Sequence, residues 1–208
     1  RANLVAAPAH GGGIASRALG GSAQTHIVFG LPLPPLLDDA HHAGVVAAAL
    51  FGEGMSSPLL DEIRERRGLA YYLSCSADIG ELAGQFVVEA STAPEHADEF
   101  LVALKHLLEA QAGRIDPVGL ERAKNQIAVR RLRAWERPAR RLEDAALDLL
   151  SLGRVRSRGE MRERVEAVDA RQVRDTFADM LRQRQAIAIA GRIRKGTVDR
   201  AREIFEPR

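Results

Sequence analysis

The chain has 208 residues, 46% of them apolar and 28% charged, so one ordinary core can form without a metal or disulfide staple, burying roughly 70% of the surface that the unfolded chain exposes. Thirty basic residues stand against 28 acidic ones, for a formal charge of +2, and the two signs interleave along predicted helices, so no nucleic-acid partner is expected. The lone Cys75 excludes an internal disulfide, and no apolar run reaches membrane-helix length, so no membrane partner is expected either.

Residues 1–21 are rich in Ala and Gly with little periodicity, which predicts a linker or N-terminal segment, followed by one folded domain over residues 22–208. No charged-then-apolar leader follows Arg1, and the expectation is an excised part of a longer protein. Compartment stays unknown from these features. The glycines of the first segment lack the pattern of a phosphate-binding loop.

Residues 24–33 alternate, with Ile27, Phe29 and Leu31 on one side and His26, Val28 and Gly30 on the other, predicting a strand ended by Pro32, Pro34 and Pro35. Asp38 or Asp39 then opens a helix of small residues that runs to Phe51. Ser57 caps a short helix with Pro58 in its first turn, Leu59, Leu60 and Ile63 buried, and Gly68 as its stop. Strands are expected over residues 70–77 and around Phe86, Val88 and Ala90, joined as an antiparallel hairpin by residues 78–84. Thr92 to Glu95 has capping-box spacing ahead of a helix carrying Ala97, Phe100, Leu101, Leu104, Leu107 and Leu108.

Asp116-Pro117 starts a helix running to Trp135, with Trp135 packed inward and the neighbouring arginines solvated. Pro138 breaks it, and a second helix carries Leu142, Ala145, Ala146, Leu149 and Leu150. Ser157-x-x-Glu160 and Asp169-x-x-Gln172 cap two more helices, residues 185–193 alternate as a strand, and a last helix spans residues 197–205. Each strand has one bulky apolar face and one polar or small face. The predicted fold class is therefore α+β, a mainly antiparallel sheet with helices packed on one face.

The stretch Gly52-Glu53-Gly54-Met55-Ser56-Ser57, followed by Arg64-Glu65-Arg66-Arg67-Gly68-Leu69-Ala70-Tyr71, resembles the second, non-catalytic half of the pitrilysin/insulinase family of zinc metallopeptidases, which includes the mitochondrial processing peptidase. The resemblance covers about residues 25–193, and it implies one half of a metallopeptidase clamshell. The family's pattern continues the serine-rich loop with arginine where Pro58 stands here, so no side-chain role is carried over to that position. The family's catalytic half holds zinc through His-x-x-Glu-His on a helix. This chain lacks that motif. His41 and His42 are neighbours, and Ala110 stands where a second ligand would follow His106, so these histidines read as ordinary surface or boundary residues. No metal site and no catalytic residue is expected here. The resemblance places zinc in a partner catalytic half, on the same protein or a homologous subunit, with a peptide as substrate.

The resemblance maps two substrate-binding residues, Arg64 and, seven residues later, Tyr71. It implies that the arginine hydrogen-bonds substrate oxygens while the tyrosine hydroxyl supports the carbonyl under attack. Spacing alone offers a plainer fate for Arg64, a helix-surface pair with Asp61. Alternation along the strand would put Tyr71 on the apolar face and Tyr72 on the open one, so Tyr72 stands as the alternative to Tyr71. The implied function is closing a chamber and positioning a peptide for hydrolysis, with the isolated chain inactive; the alternative is a non-enzymatic peptidase-like scaffold or peptide-binding subunit.

Overall fold

A computed structural model describes residues 6–206 of the chain. Five strands form one sheet in the order β1-β5-β2-β4-β3: β1 Gly13–Ala18, β2 Thr25–Leu33, β3 Tyr72–Ile79, β4 Gly84–Thr92 and β5 Ala186–Gly191. All neighbours run antiparallel except β1 and β5, which are parallel. Seven α-helices accompany the sheet: α1 His41–Gly52, α2 Ala97–Gly113, α3 Pro117–Trp135, α4 Pro138–Leu152, α5 Arg158–Glu166, α6 Ala170–Arg182 and α7 Thr197–Phe205. A π-helical segment, Leu60–Arg66, follows α1. The fold is α+β, as the alternating strands predict.

The period-2 pattern decides which side of the sheet is dry. Ile27, Phe29 and Leu31 of β2, Phe86 and Val88 of β4, and Ile187 and Ile189 of β5 are buried beneath the helices. Phe51, Phe86 and Phe177 meet with ring centroids 5.7 to 5.9 Å apart, joining α1, β4 and α6. The opposite side carries His26, Ala188, Glu89 and Tyr72, all exposed. No helix of the described residues is long and apolar enough to cross a membrane.

Several local expectations need correction. The segment read as a linker over residues 1–21 contains β1, whose partner β5 pairs Gly13 with Ala186, and residues 1–5 of it lie outside the described residues. Its short, small-residue strand carries too little periodicity to announce itself without that distant partner. Strand β2 continues through Pro32 to Leu33. Its pairing with β5 ends at Gly30, so Pro32 lies where one side of the strand is free and a missing N–H is tolerated. Thr92 does not cap α2. It ends β4, and its hydroxyl donates to the Leu69 carbonyl at 2.5 Å. Helix α4 buries only Asp148, leaving Leu142, Leu149 and Leu150 exposed. Trp135 is likewise 38% exposed, with Arg141 stacked 4.9 Å from its ring centroid.

The caps of the later helices form as their sequences predict. Asp116 accepts from Gly119 N at 2.8 Å, with Pro117 in the first turn. Ser157 accepts from Glu160 N, and Asp169 with Gln172 completes a reciprocal capping box.

Candidate functional site

Helix α1 ends against β3 so closely that a Cβ on Gly52 would lie 2.2 Å from the Cβ of Cys75. Only glycine fits there. Burial pushes the Cys75 thiol well up from its ordinary value, which makes it an inert packing group. The chain then enters a loop over residues 53–57 that α3 holds from the side. Arg130 pairs with Glu53 at 2.5 Å, and Arg122 donates to the Ser56 carbonyl at 2.7 Å and hydroxyl at 3.0 Å. Gln126 lies against Gly54. Arg122, Gln126 and Arg130 share one face of α3 by successive i, i+4 steps. That spacing was the available signal for this support, and hydropathy alone does not reveal it.

Ser57 is buried and accepts from Leu60 N, but at 3.5 Å. The segment it opens winds with π geometry, so Arg67 N bonds to Glu62 O five residues back. Side chains five apart consequently become neighbours. Asp61 pairs with Arg66 at 2.9 Å and Glu62 with Arg67 at 2.6 Å. The i, i+3 pairing of Arg64 with Asp61, natural for an α-helix, is replaced. Arg64 instead reaches Glu65 at 2.8 Å and donates to the Met55 sulfur at 2.7 Å. These tethers are at the surface, where an ion pair contributes little and exchanges readily.

Gly68, at φ +61°, turns the chain out of the segment, and Leu69 N closes it on Ile63 O at 2.8 Å. Leu69 and Ala70 bury themselves. Tyr71 binds Ser91 O through its backbone N–H but precedes the pleat of β3, and its side chain is 87% exposed. The alternation that would place Tyr71 on the apolar face therefore fails at this first position. Tyr72 does follow its parity onto the open face, where its hydroxyl lies 3.3 Å from the Ser74 hydroxyl and 3.4 Å from the Glu89 carboxylate. Arg64 and Tyr71 thus stand on opposite sides of one glycine turn, and no hydrogen bond joins them.

The donors present do not fit zinc. Among the described residues no three His, Cys, Asp or Glu side chains come together in a metal-binding group. His41 and His42 are buried at the start of α1, contrary to the surface or boundary placement expected of them. Their rings stack at 3.9 Å, and His41 Nδ1 bonds to the Asp38 carbonyl at 2.7 Å. Burial lowers the pKa of both, with His41 and Arg131 adding to the effect on His42, which falls to about 4. They are neutral packing groups at ordinary pH.

A family model described as the Peptidase M16 inactive domain matches residues 3–127, more than half of the chain. The chain therefore belongs to the pitrilysin, or M16, peptidase family, as its non-catalytic C-terminal domain. An uncharacterised zinc protease of Streptomyces coelicolor is 29% identical over 174 residues, covering 81% of this chain and 37% of that protein. One of Rickettsia bellii is 30% identical over 129 residues, covering 62% and 31% respectively. The chain thus spans about a third of the length of these curated relatives.

Among solved structures, a chain of complex III2 from Candida albicans matches with TM-score 0.80 and 16% identity over 91% of this chain and 49% of its own. The peptidase M16 inactive domain from Pseudomonas fluorescens matches with TM-score 0.72 and 17% identity, over 86% and 43%. These likenesses establish the shared fold.

Proposed function

We propose that this domain closes one side of a peptidase chamber and positions an extended peptide for cleavage by a catalytic half, carried on the same protein or on a homologous subunit. The observation that carries this reading is the placement of Arg64 and Tyr71 around the Gly68 turn, with the phenol 87% exposed and free of the sheet. Arg64 exchanges its surface contacts with Glu65 and Met55 for substrate carbonyl or carboxylate oxygens, which a planar guanidinium holds in fixed orientation. Tyr71 donates its phenolic proton in a hydrogen bond to the carbonyl oxygen as negative charge develops there. Zinc in the catalytic half supplies the activated water. The domain itself contributes binding and orientation.

The test is zinc-dependent cleavage of a quenched fluorescent peptide by this chain mixed with its catalytic half. Tyr71→Phe is expected to lower kcat by about 10²-fold, the usual cost of one oxyanion donor, while Tyr72→Phe leaves it within about 2-fold. Arg64→Ala is expected to lower kcat/KM by about tenfold or more. A mixture indifferent to both Arg64→Ala and Tyr71→Phe would remove the catalytic reading and leave the scaffold role. Cleavage by the isolated chain would overturn the division of labour.

A further inference from the structure

Beside the loop over residues 53–57 lies a groove of about 1140 Å³ whose long wall is α3. Five arginines line it against two glutamates. Both glutamates are already neutralised, Glu53 by Arg130 at 2.5 Å and Glu121 by Lys124 at 3.4 Å. Arg140 pairs with Glu143 and Asp144. Arg122, Arg133 and Arg137 have no acidic partner among the described residues, so the groove presents three uncompensated guanidinium groups. Buried polar atoms accompany them: Arg122 Nε and Gln126 Oε1 are enclosed without a hydrogen-bond partner.

The spacing defines what fits. Val118, Arg122, Gln126, Val129 and Arg133 follow one another by three or four residues, which puts them along one side of α3, and Arg137 joins the groove from the turn between α3 and α4. Cationic positions are interleaved with exposed valines, Val118 at 76% and Val129 at 49%. From Arg122 to Arg133 the helix rises about 16 Å, which an extended strand covers in about five residues. Polyphosphate would use the charges and waste the apolar wall. A peptide with carboxylates about five residues apart and apolar side chains between them would use both.

We propose that this groove binds an acidic segment of the peptide substrate and gives the enzyme a preference for substrates that carry one. The inference rests on the positioning role proposed above, because the loop physically joins the two places: Met55 accepts from Arg64 on one side, and Ser56 accepts from Arg122 on the other. The acidic segment is held in the groove by charge-assisted hydrogen bonds.

The probe is a fluorescein-labelled peptide, Glu-Glu-Val-Gly-Val-Glu-Glu, titrated with the 208-residue chain alone, beside the same peptide with every Glu replaced by Gln. The acidic peptide is expected to bind about tenfold more tightly at low salt, with the advantage shrinking as salt rises. Arg133→Glu with Arg137→Glu is expected to erase that advantage; both side chains are exposed, so an unchanged melting temperature verifies the fold. In the mixture with the catalytic half, the same pair is expected to raise KM for an acidic substrate and leave a neutral one unaltered. Equal binding of the two peptides, or an advantage that survives charge reversal, overturns the proposal. So does displacement of the acidic peptide by oligothymidylate at lower concentration than by unlabelled peptide, which would identify a nucleic-acid surface. Direct binding involves neither zinc nor hydrolysis, so failure of the groove is distinguishable from failure of the Arg64 and Tyr71 roles.

Discussion

The two faces of the sheet are built from the same five strands and have opposite chemistry. On the covered face, Phe29, Phe86, Val88, Ile187 and Ile189 are almost wholly enclosed, and α1, which packs on β3 and β4, has ten of its twelve residues buried. On the open face, Tyr72, Ser74 and Glu89 form an exposed hydrogen-bonded group, and His26 Nδ1 meets the Ser91 hydroxyl at 2.7 Å. Alternation assigns each residue to one face or the other, and a residue escapes only where the pleat has not begun. Tyr71 is that exception. Stability is concentrated on one face, which leaves the other face and its rim free to carry groups that touch a ligand.

The sharpest way to break this comparison is Phe86→Ala. Phe86 is fully buried and touches the rings of Phe51 and Phe177, so the variant is expected to lose about 4 kcal/mol in urea unfolding. A loss below about 1 kcal/mol would mean that the aromatic cluster is not the core's anchor.

Gly52→Ala comes next. The added methyl meets β3 backbone and the Cys75 Cβ rather than a flexible tip, and the expected loss is about 2 kcal/mol. Gly113→Ala, at the end of α2 with nothing within 4 Å of its Cβ, is expected to be neutral or stabilising by about 0.5 kcal/mol. Equal effects at the two glycines would contradict the close approach of α1 to β3.

Acid exposes a third difference. His42 has its pKa depressed from 6.5 to about 4 in the folded chain, so between these values the unfolded chain takes up a proton that the native state refuses. The contribution is fully present above pH 6.5 and is lost progressively as pH falls toward about 4. Allowing for relaxation and water access, the loss is about 2 kcal/mol. His41, Arg131 and Arg156 all disfavour the added charge, and only Asp39 favours it. Urea midpoints measured from pH 7.5 to 4.5 are expected to fall less steeply in His42→Gln than in the parent chain. Parallel slopes would show that His42 ionises as easily folded as unfolded.

Much of this was readable from residues alone, because short-range chemistry controls it. Period-2 alternation in β2, β4 and β5 and the caps at Asp116, Ser157 and Asp169 need only near neighbours. Strand β1 was hidden because its pairing partner lies more than 170 residues away. The π winding was hidden for a different reason: the wider turn leaves the apolar spacing of Leu59, Leu60 and Ile63 looking α-helical, yet it brings Asp61 to Arg66 and Glu62 to Arg67 at i, i+5. The leucines of α4 carry the periodicity of a core helix, and nothing in that pattern states that only Asp148 is enclosed. The family resemblance singled out Arg64 and Tyr71 as candidates, whereas the i, i+4 spacing of Arg122, Gln126 and Arg130 marks a shared helix face without stating that the loop over residues 53–57 packs against it.

The smallest expected effect lies at the centre of the open face. Glu89→Gln removes a charge that accepts from Tyr72 at 3.4 Å and Ser74 at 3.3 Å, but both bonds are long and exposed, and water replaces them easily. No cation pairs with Glu89 among the described residues, so the change breaks no ion pair. The change is expected to move stability by no more than about 0.5 kcal/mol. Urea unfolding of Glu89→Gln beside Phe86→Ala, three residues away on the other side of the same strand, reads the asymmetry directly: a large loss at Glu89 would mean that the open face is part of the structural core, and that Tyr72 is held for stability rather than left free at a working surface.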